Sequence, residues 1–348
     1  MKKIVGAVFG ICILSISLLL SGCEREKPLP DVPSEEIADF EPVTEVKDGR
    51  KNIYVVLKVM TSQYWQDVIA GVTDASKETD CNVYVGGAIG EGDWESQREL
   101  INKAVNECNA DAFVVAPSSS SKLIETIGGV YESGRPVVLV DTIINGESFE
   151  TCYMTDNISA GELAAKEMLK IMTENGVSKE EQIYIAMQIP SMSSQTIIDR
   201  LAGFNQYWAI NAPGNWHILD DIRLNNGDKE RAKEIAVDLL KEHPDIKCFL
   251  GCNNSATVGF ANALKEMDRS DILMVGFDYS DEIAELVASD KFKASTIVQN
   301  QYDMGYDGLK QASDILDGKK SEYKFVDTGI VVIGHDNYKE YEAEVGRK

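Results

Sequence analysis

Asn52-Ile-Tyr-Val-Val-Leu-Lys58, Asp111-Ala-Phe-Val-Val-Ala-Pro117 and Pro136-Val-Val-Leu-Val-Asp141 share one plan: a short, β-rich apolar run that stops at a polar residue or a proline. Runs that are apolar at consecutive positions suit strands buried on both faces of a parallel sheet. Between them lie helical patterns. Trp65, Val68, Ile69, Val72 and Ala75 recur at helical spacing, as do Gln97, Leu100, Ile101, Ala104, Val105 and Cys108. A strand over 81–86 and a helix over 122–133 complete the alternation. The pattern restarts after Asn157, with helices predicted over 160–174, 195–210, 229–242, 256–267 and 282–288. Strands are predicted between them over 183–187, 216–222, 248–251 and 272–277. Two βαβ stacks in series imply an α/β chain with two parallel sheets covered by helices. A last strand, helix and strand over 294–298, 302–316 and 324–333 read as the tie between the lobes.

The N-terminus carries a different signal. Lys2 and Lys3 precede an apolar stretch from Ile4 to Leu20, which ends at Leu20-Ser21-Gly22-Cys23. Small residues before a cysteine form a lipobox, so residues 1–22 read as a lipoprotein signal peptide and Cys23 as the acylated N-terminus. The stretch is short for a membrane span and is interrupted by Gly and Ser. The mature chain is therefore expected outside the cytoplasm, on the cell surface or in a periplasm, held to the membrane by acyl chains. Residues 24–51 contain Pro28, Pro30, Pro33 and Pro42, many acids and few large apolar residues, and read as a flexible tether.

The sequence holds 57 acidic residues against 34 Lys and Arg, a formal net charge of −23, and loss of Lys2 and Lys3 makes the mature chain more acidic still. Nucleic acid, whose phosphates need a basic face, is excluded as a partner. Of seven cysteines, Cys12 leaves with the signal and Cys23 is the lipid site. Cys248 and Cys252 lie too far apart along a strand to bridge. A Cys81–Cys108 bridge remains open, and the sulfur is otherwise expected to fill core. His217, His243 and His335 are scattered, so no metal site and no cofactor are expected.

Open parallel sheets bind ligands beyond the carboxyl ends of their strands. The residues that follow the predicted strands are Thr61-Ser62-Gln63-Tyr64-Trp65, Asp141-Thr142, Cys252-Asn253-Asn254, Asp278-Tyr279 and Gln299. Aromatic faces suit the C–H faces of a sugar, and carboxylates and amides bond its hydroxyls. A closed site must pair every buried hydroxyl.

With these runs go Thr155-Asp156-Asn157 followed by Gly161, Arg200-Leu-Ala-Gly-Phe204, Asn253-Asn254 followed by Gly259, and Val275-Gly-Phe-Asp278. In this order, over about residues 52–335, the chain resembles the type I periplasmic binding proteins of sugar ABC transporters, close to the ribose-binding group. The resemblance implies two doubly wound parallel-sheet lobes joined by a three-segment hinge, with crossings near Asp156, near Gln299 to Gln301 and near Val326 to Thr328. The lobes are expected over 52–155 plus 300–326 and over 156–299 plus 327–340. The same resemblance makes Tyr64 and Trp65 stacking aromatics, Asp141 a hydroxyl-binding carboxylate, and Arg200, Asn253, Asp278 and Gln299 polar ligand contacts. Thr142 departs from the family, which usually carries Arg there, and Ser62 stands where Asn is common. Asp93 and Trp94 are further candidates from the loop after the second strand.

Bland alternatives stand beside these roles. Arg200 equally suits an ion pair, Trp65 suits a core position beside Val68 and Val72, and Asp278 and Asn253 suit helix caps. The function expected is capture of a small polar ligand, a monosaccharide, by a monomer that delivers it to an ABC permease. A sensor that signals to a membrane histidine kinase is the alternative. An enzyme is not expected: no nucleophile elbow, metal spacing or phosphate-cradling loop is present. A repressor of the same fold is excluded, because a lipobox stands where a DNA-binding helix pair would be.

Overall fold

The computed structural model describes residues 39–345; the stretch read as a signal peptide, Cys23 and the expected tether as far as residue 38 lie outside them. Among the described residues, no helix is long and apolar enough to cross a membrane.

The first lobe is built from β1 (Glu41–Pro42), β2 (Lys51–Leu57), α1 (Gln63–Ser76), β3 (Cys81–Gly87), α2 (Trp94–Asn106), β4 (Ala112–Val115), α3 (Ile124–Glu132), β5 (Val137–Val140) and β6 (Cys152–Met154). The second takes α4 (Asn157–Glu174), β7 (Ile183–Ile189), α5 (Gln195–Asn211), β8 (Trp216–Ile218), β9 (Arg223–Leu224), α6 (Lys229–Glu242) and β10 (Ile246–Gly251). It continues through α7 (Asn254–Glu266), β11 (Leu273–Phe277), α8 (Asp281–Val287) and β12 (Ala294–Gln299). The chain then returns through α9 (Gln301–Leu316) and β13 (Phe325–Asp327), and ends with β14 (Ile330–Gly334) and α10 (Tyr338–Glu344). One sheet has the order β1-β3-β2-β4-β5-β6-β13 and the other β14-β12-β11-β10-β7-β8, with β9 beside β7. The described chain passes between the sheets after β6, after β12 and after β13, so three segments join the lobes.

The burial in β2 explains why these runs become central strands. Ile53, Val55 and Leu57 pack with Val68 and Val72 of α1 and Met304 and Leu309 of α9. Tyr54 and Val56 pack on the other face with Leu100 and Ile101 of α2 and Ile127 and Val130 of α3. Both faces are dry, so alternation is absent from the sequence. Each such aliphatic side chain contributes roughly 1.5–3 kcal/mol on burial.

In the second lobe, α4 and α5 approach closely through a reciprocal glycine contact. A Cβ on Gly161 would meet the Arg200 carbonyl oxygen at 2.1 Å, and one on Gly203 would meet that of Ile158 at 2.0 Å. This contact brings the N-terminus of α4 alongside the middle of α5, where Arg200 stands.

The structure corrects several sequence expectations. Both sheets are mixed, since β1 runs antiparallel to β3 and β14 antiparallel to β12. The single strand expected over 324–333 divides between the lobes: β13 pairs parallel with β6, and β14 joins β12. The tether ends earlier than Lys51. Phe40 packs edge-on to Tyr54 at 4.7 Å, β1 pairs with β3, and Asn82 holds Lys47 through both backbone groups. The ring, the strand pairing and the Asn82 bonds together fasten the segment to the sheet edge. The strand expected over 216–222 is shorter, β8 ending at Ile218, and β6, β9 and α10 are further elements that the sequence pattern does not predict. All five remaining cysteines are free, so no Cys81–Cys108 bridge exists.

Candidate functional site

The seven site residues read from the sequence line one cavity between the lobes, with about 470 Å³ of non-atom space, part of it open to solvent. All but Arg200 arrive from the carboxyl end of a strand or the start of the following helix. Tyr64 and Trp65 open α1; Asp141 follows β5; Arg200 lies in α5; Asn253 precedes α7; Asp278 follows β11; and Gln299 ends β12. Asn254, noted at a strand end without a ligand role, lines the same cavity, as do Lys58, Glu91 and Thr196, which sequence reasoning did not pick out.

Asp141 and Asp278 occupy matching places in the two sheets, and both have left-handed backbone, with φ of 63° and 71°. Few non-glycine residues adopt this conformation, Asp and Asn most readily, and the strain clusters at functional sites. Their surroundings differ. Asp141 Oδ2 accepts from Lys58 Nζ at 2.6 Å and Thr142 Oγ1 at 2.6 Å, and Oδ1 accepts from Tyr64 OH at 2.7 Å. Burial pushes its carboxyl up, but the Lys58 charge and these three donors together hold it below the usual carboxylate value. Asp278 has only a neutral side-chain donor, Gln299 Nε2 at 2.7 Å. Burial lifts it to about 6, with Arg200 and Gln299 opposing and the charges of Asp141 and Glu91 adding to the rise.

Arg200 is buried and makes no ion pair among the described residues. Its Nε donates to Asn157 Oδ1 at 2.8 Å and its Nη1 to the Cys252 carbonyl at 2.8 Å, while the guanidinium lies 4.2 Å over the Phe277 ring. These contacts fix the fork and leave Nη2 buried without a partner. Glu91 crosses from the first lobe, where Oε1 accepts from Trp65 Nε1 at 3.4 Å, to the second, where Oε2 accepts from Asn253 Nδ2 at 3.1 Å. Burial raises the Glu91 carboxyl, with Lys58 opposing.

The bland alternatives resolve differently from residue to residue. Trp65 is both core and cavity wall: it is 1% exposed and packs with Val68 and Val72. Asn253 does cap α7, its Oδ1 accepting from Ala256 N at 3.2 Å, while its Nδ2 faces Glu91. Asp278 is not a cap, because Ser280 holds that place on α8. Tyr64 is more than a stacking ring, since its hydroxyl holds Asp141. Asp93 and Trp94 line none of the cavity: Asp93 caps α2, and Trp94 carries Arg98 and Lys122 over its ring. Thr142 does not line it either. Its Oγ1 lies beneath the wall, 2.8 Å from Lys58 Nζ and 2.9 Å from Thr196 Oγ1 across the lobes.

The lobes also touch beside the cavity. Ser120 N donates to the Ser193 carbonyl at 3.1 Å, and Gln195 N to Ser120 Oγ at 3.0 Å. Outside the cleft, Asp221, Glu242 and His243 cluster closely enough to hold a cation. The Arg223 guanidinium donates to both carboxylates and so takes that place itself.

A sequence profile described as a periplasmic binding protein domain matches residues 53–320. The D-allose-binding periplasmic protein of Escherichia coli is 26% identical over 301 residues, covering 80% of this chain and 90% of that protein. The ribose import binding protein of Bacillus subtilis is 25% identical over 330 residues, covering 92% and 95%. Among solved structures, an ABC transporter solute-binding protein from Agrobacterium vitis with bound D-fucose superposes with a TM-score of 0.77 at 27% identity, covering 84% of this chain and 98% of that one. A carbohydrate transporter solute-binding protein from Agrobacterium radiobacter in complex with D-arabinose gives 0.80 at 25% identity, covering 86% and 99%. The family comprises extracytoplasmic substrate-binding proteins of transporters, which are not enzymes. Two lobes joined by three segments, a polar cavity at the strand ends and the profile match agree: this chain belongs to the periplasmic binding protein family, as a sugar-binding protein of type I.

Proposed function

We propose that this protein captures a neutral monosaccharide between its lobes and delivers it to an ABC permease, anchored outside the cytoplasm by lipid on Cys23. The observation that carries the reading is the presence of Arg200 and Asp278 in one cavity between the lobes. Arg200 Nη2 is a buried donor with no partner, and Asp278 is a buried carboxylate whose only side-chain donor is neutral. A sugar hydroxyl is at once the acceptor that Arg200 lacks and the donor that favours an ionised Asp278. Tyr64, Trp65, Asp141, Asn253 and Gln299 complete the proposed contacts.

The charges favour a neutral ligand. Glu91, Asp141 and Asp278 face Lys58 and Arg200, three carboxylates against two cations, so a sugar acid or phosphate would add repulsion to desolvation. Only the closed form touches the ligand from both lobes, so binding shifts the protein towards closure, the form a permease would engage.

The test is a thermal-shift screen of the purified protein against pentoses, hexoses, sugar alcohols, sugar acids and nucleosides. A ligand at 100 times its Kd adds about 2.7 kcal/mol, a readable shift in melting temperature. A neutral sugar should shift the wild type and should lose its effect in Arg200→Ala and Asp278→Ala. Silence from all neutral sugars, or a shift with a sugar acid alone, would refute the reading.

A further inference from the structure

We propose that the binding site has a second compartment, which takes a second neutral sugar unit joined glycosidically to the first and extends the ligand class to disaccharides. This rests on the reading of the central cavity as a sugar site.

Beside that cavity is a larger chamber between the lobes, with about 1200 Å³ of non-atom space, part of it open to solvent. Glu91 and Asn254 line both spaces, so the two spaces meet at these side chains. The partition is thin. Glu91 is held across it by the 3.4 Å and 3.1 Å contacts to Trp65 and Asn253. The backbone at Gly227, with φ of +78°, presses on it from the chamber side, where a Cβ would lie 3.0 Å from Glu91 Cβ and Cγ. A glycosidic oxygen passing the partition would accept from Asn253 Nδ2 in place of Glu91.

The chamber has the polar groups a sugar needs. Asn254 is more than nine-tenths buried, and its Nδ2 has no hydrogen-bond partner. Ser62, on the other lobe, lines the same chamber; its Oγ is also buried without a partner, and although Ser62 stands at the N-cap of α1 it makes no capping bond. A buried polar group left unmatched is costly, and a ligand hydroxyl that reaches either group would supply its missing partner. Val59, Val258 and the exposed Ile89 supply apolar surface for a C–H face. Lys229 is paired with Glu282 at 2.9 Å, and Glu91 and Asp228 add further negative charge, which disfavours a phosphate or carboxylate occupant.

The experiment is isothermal titration calorimetry of the purified protein with xylose, glucose and galactose, their methyl glycosides, and xylobiose, cellobiose, maltose and lactose. At least one disaccharide should bind tenfold or more tightly than its component monosaccharides. Thr61→Trp, at an exposed position on the chamber wall, and Ile89→Asp, which removes its exposed apolar surface, should each weaken the disaccharide at least tenfold. Both residues lie outside the central cavity, so monosaccharide affinity should stay within twofold. Binding of monosaccharides with rejection of every disaccharide would overturn this inference and leave the sugar-binding reading standing. Disaccharide binding indifferent to both substitutions would overturn it too. Failure of every sugar to bind, both in this panel and in the thermal-shift screen, would overturn both readings.

Discussion

Replacing Lys58 by methionine removes an ammonium group that lies 2.6 Å from Asp141 Oδ2 and 2.8 Å from Thr142 Oγ1, while keeping most of the side-chain volume. Lys58 and Asp141 are 7% and 6% exposed, so water cannot take over the lost contact. Breaking a buried pair by removing one partner typically costs about 3–5 kcal/mol. Asp141 keeps two neutral donors, Tyr64 OH and Thr142 Oγ1, which places the loss near the lower end, about 3 kcal/mol. At roughly 2–4 °C per kcal/mol for a large domain, the melting temperature should fall by about 6–12 °C.

The pH dependence separates this cause from a packing defect. In the wild type, Asp141 is held below its ordinary value, so its contribution is present at neutral pH and is lost as pH falls through the folded value. Without Lys58 the largest opposing cause disappears and burial raises the carboxyl instead. The variant's penalty then stands at pH 7.5 and is relieved as acid neutralises Asp141. Urea and thermal unfolding between pH 7.5 and 5 should show the gap between variant and wild type narrowing. Asp141→Asn in the Lys58→Met background should recover part of the loss at pH 7.5. A gap below about 1 kcal/mol at pH 7.5, or one constant across the range, would refute the reasoning.

Sugar affinity should be constant above the Asp278 value of about 6 and decline below it, because hydroxyl donation favours the ionised carboxylate; calorimetry from pH 7.5 to 5 checks this, and a flat profile counts against Asp278. Tyr64→Phe should leave the fold intact but weaken sugar binding about tenfold, the scale of one hydrogen bond to a charged group, as Asp141 loses its Oδ1 donor. Gly203→Ala forces a Cβ to within 2.0 Å of the Ile158 carbonyl, so α4 and α5 must separate. It should cost about 1–3 kcal/mol in urea unfolding and reduce affinity as well, since α5 carries Arg200. Phe40→Ala should lower stability by about 1–2 kcal/mol through loss of the ring on Tyr54, a change too large for a free tether.

The sheets were legible because buried parallel strands demand consecutive apolar residues, and the helices because their inner faces repeat at 3.6. What sheet membership demands is weaker. Phe325-Val-Asp327 and Ile330-Val-Val-Ile-Gly334 read as one β-rich run, yet they pair with β6 in one lobe and β12 in the other. Nothing in local composition distinguishes a strand that continues from one that changes sheets. Phe40 was passed over for a related reason: a single ring in a proline-rich segment has no period, and its partner Tyr54 shows only in three dimensions.

The site was legible where function and strand end coincide, and obscure where a side chain reaches the cavity from elsewhere. Glu91 sits in a loop without periodicity, and Thr196 faces Thr142 only once the lobes close. Lys58 was in plain sight as the last residue of the Asn52–Lys58 run, but a lysine closing a strand ordinarily reaches solvent. Its burial decides how two carboxylates at matching strand ends diverge. Asp141 and Asp278 share a left-handed backbone and matching sheet positions, so position alone would give them the same role. With Lys58 beside it, Asp141 stays a fixed negative charge whose donors are supplied by the protein. Asp278, left with Gln299 alone, is held near 6, and its ionisation is most sensitive to whatever donates to it next. The cavity thus has one carboxylate whose charge is balanced by the protein and one that a bound hydroxyl would stabilise further, and under the proposed function the proton on the second links sugar capture to pH.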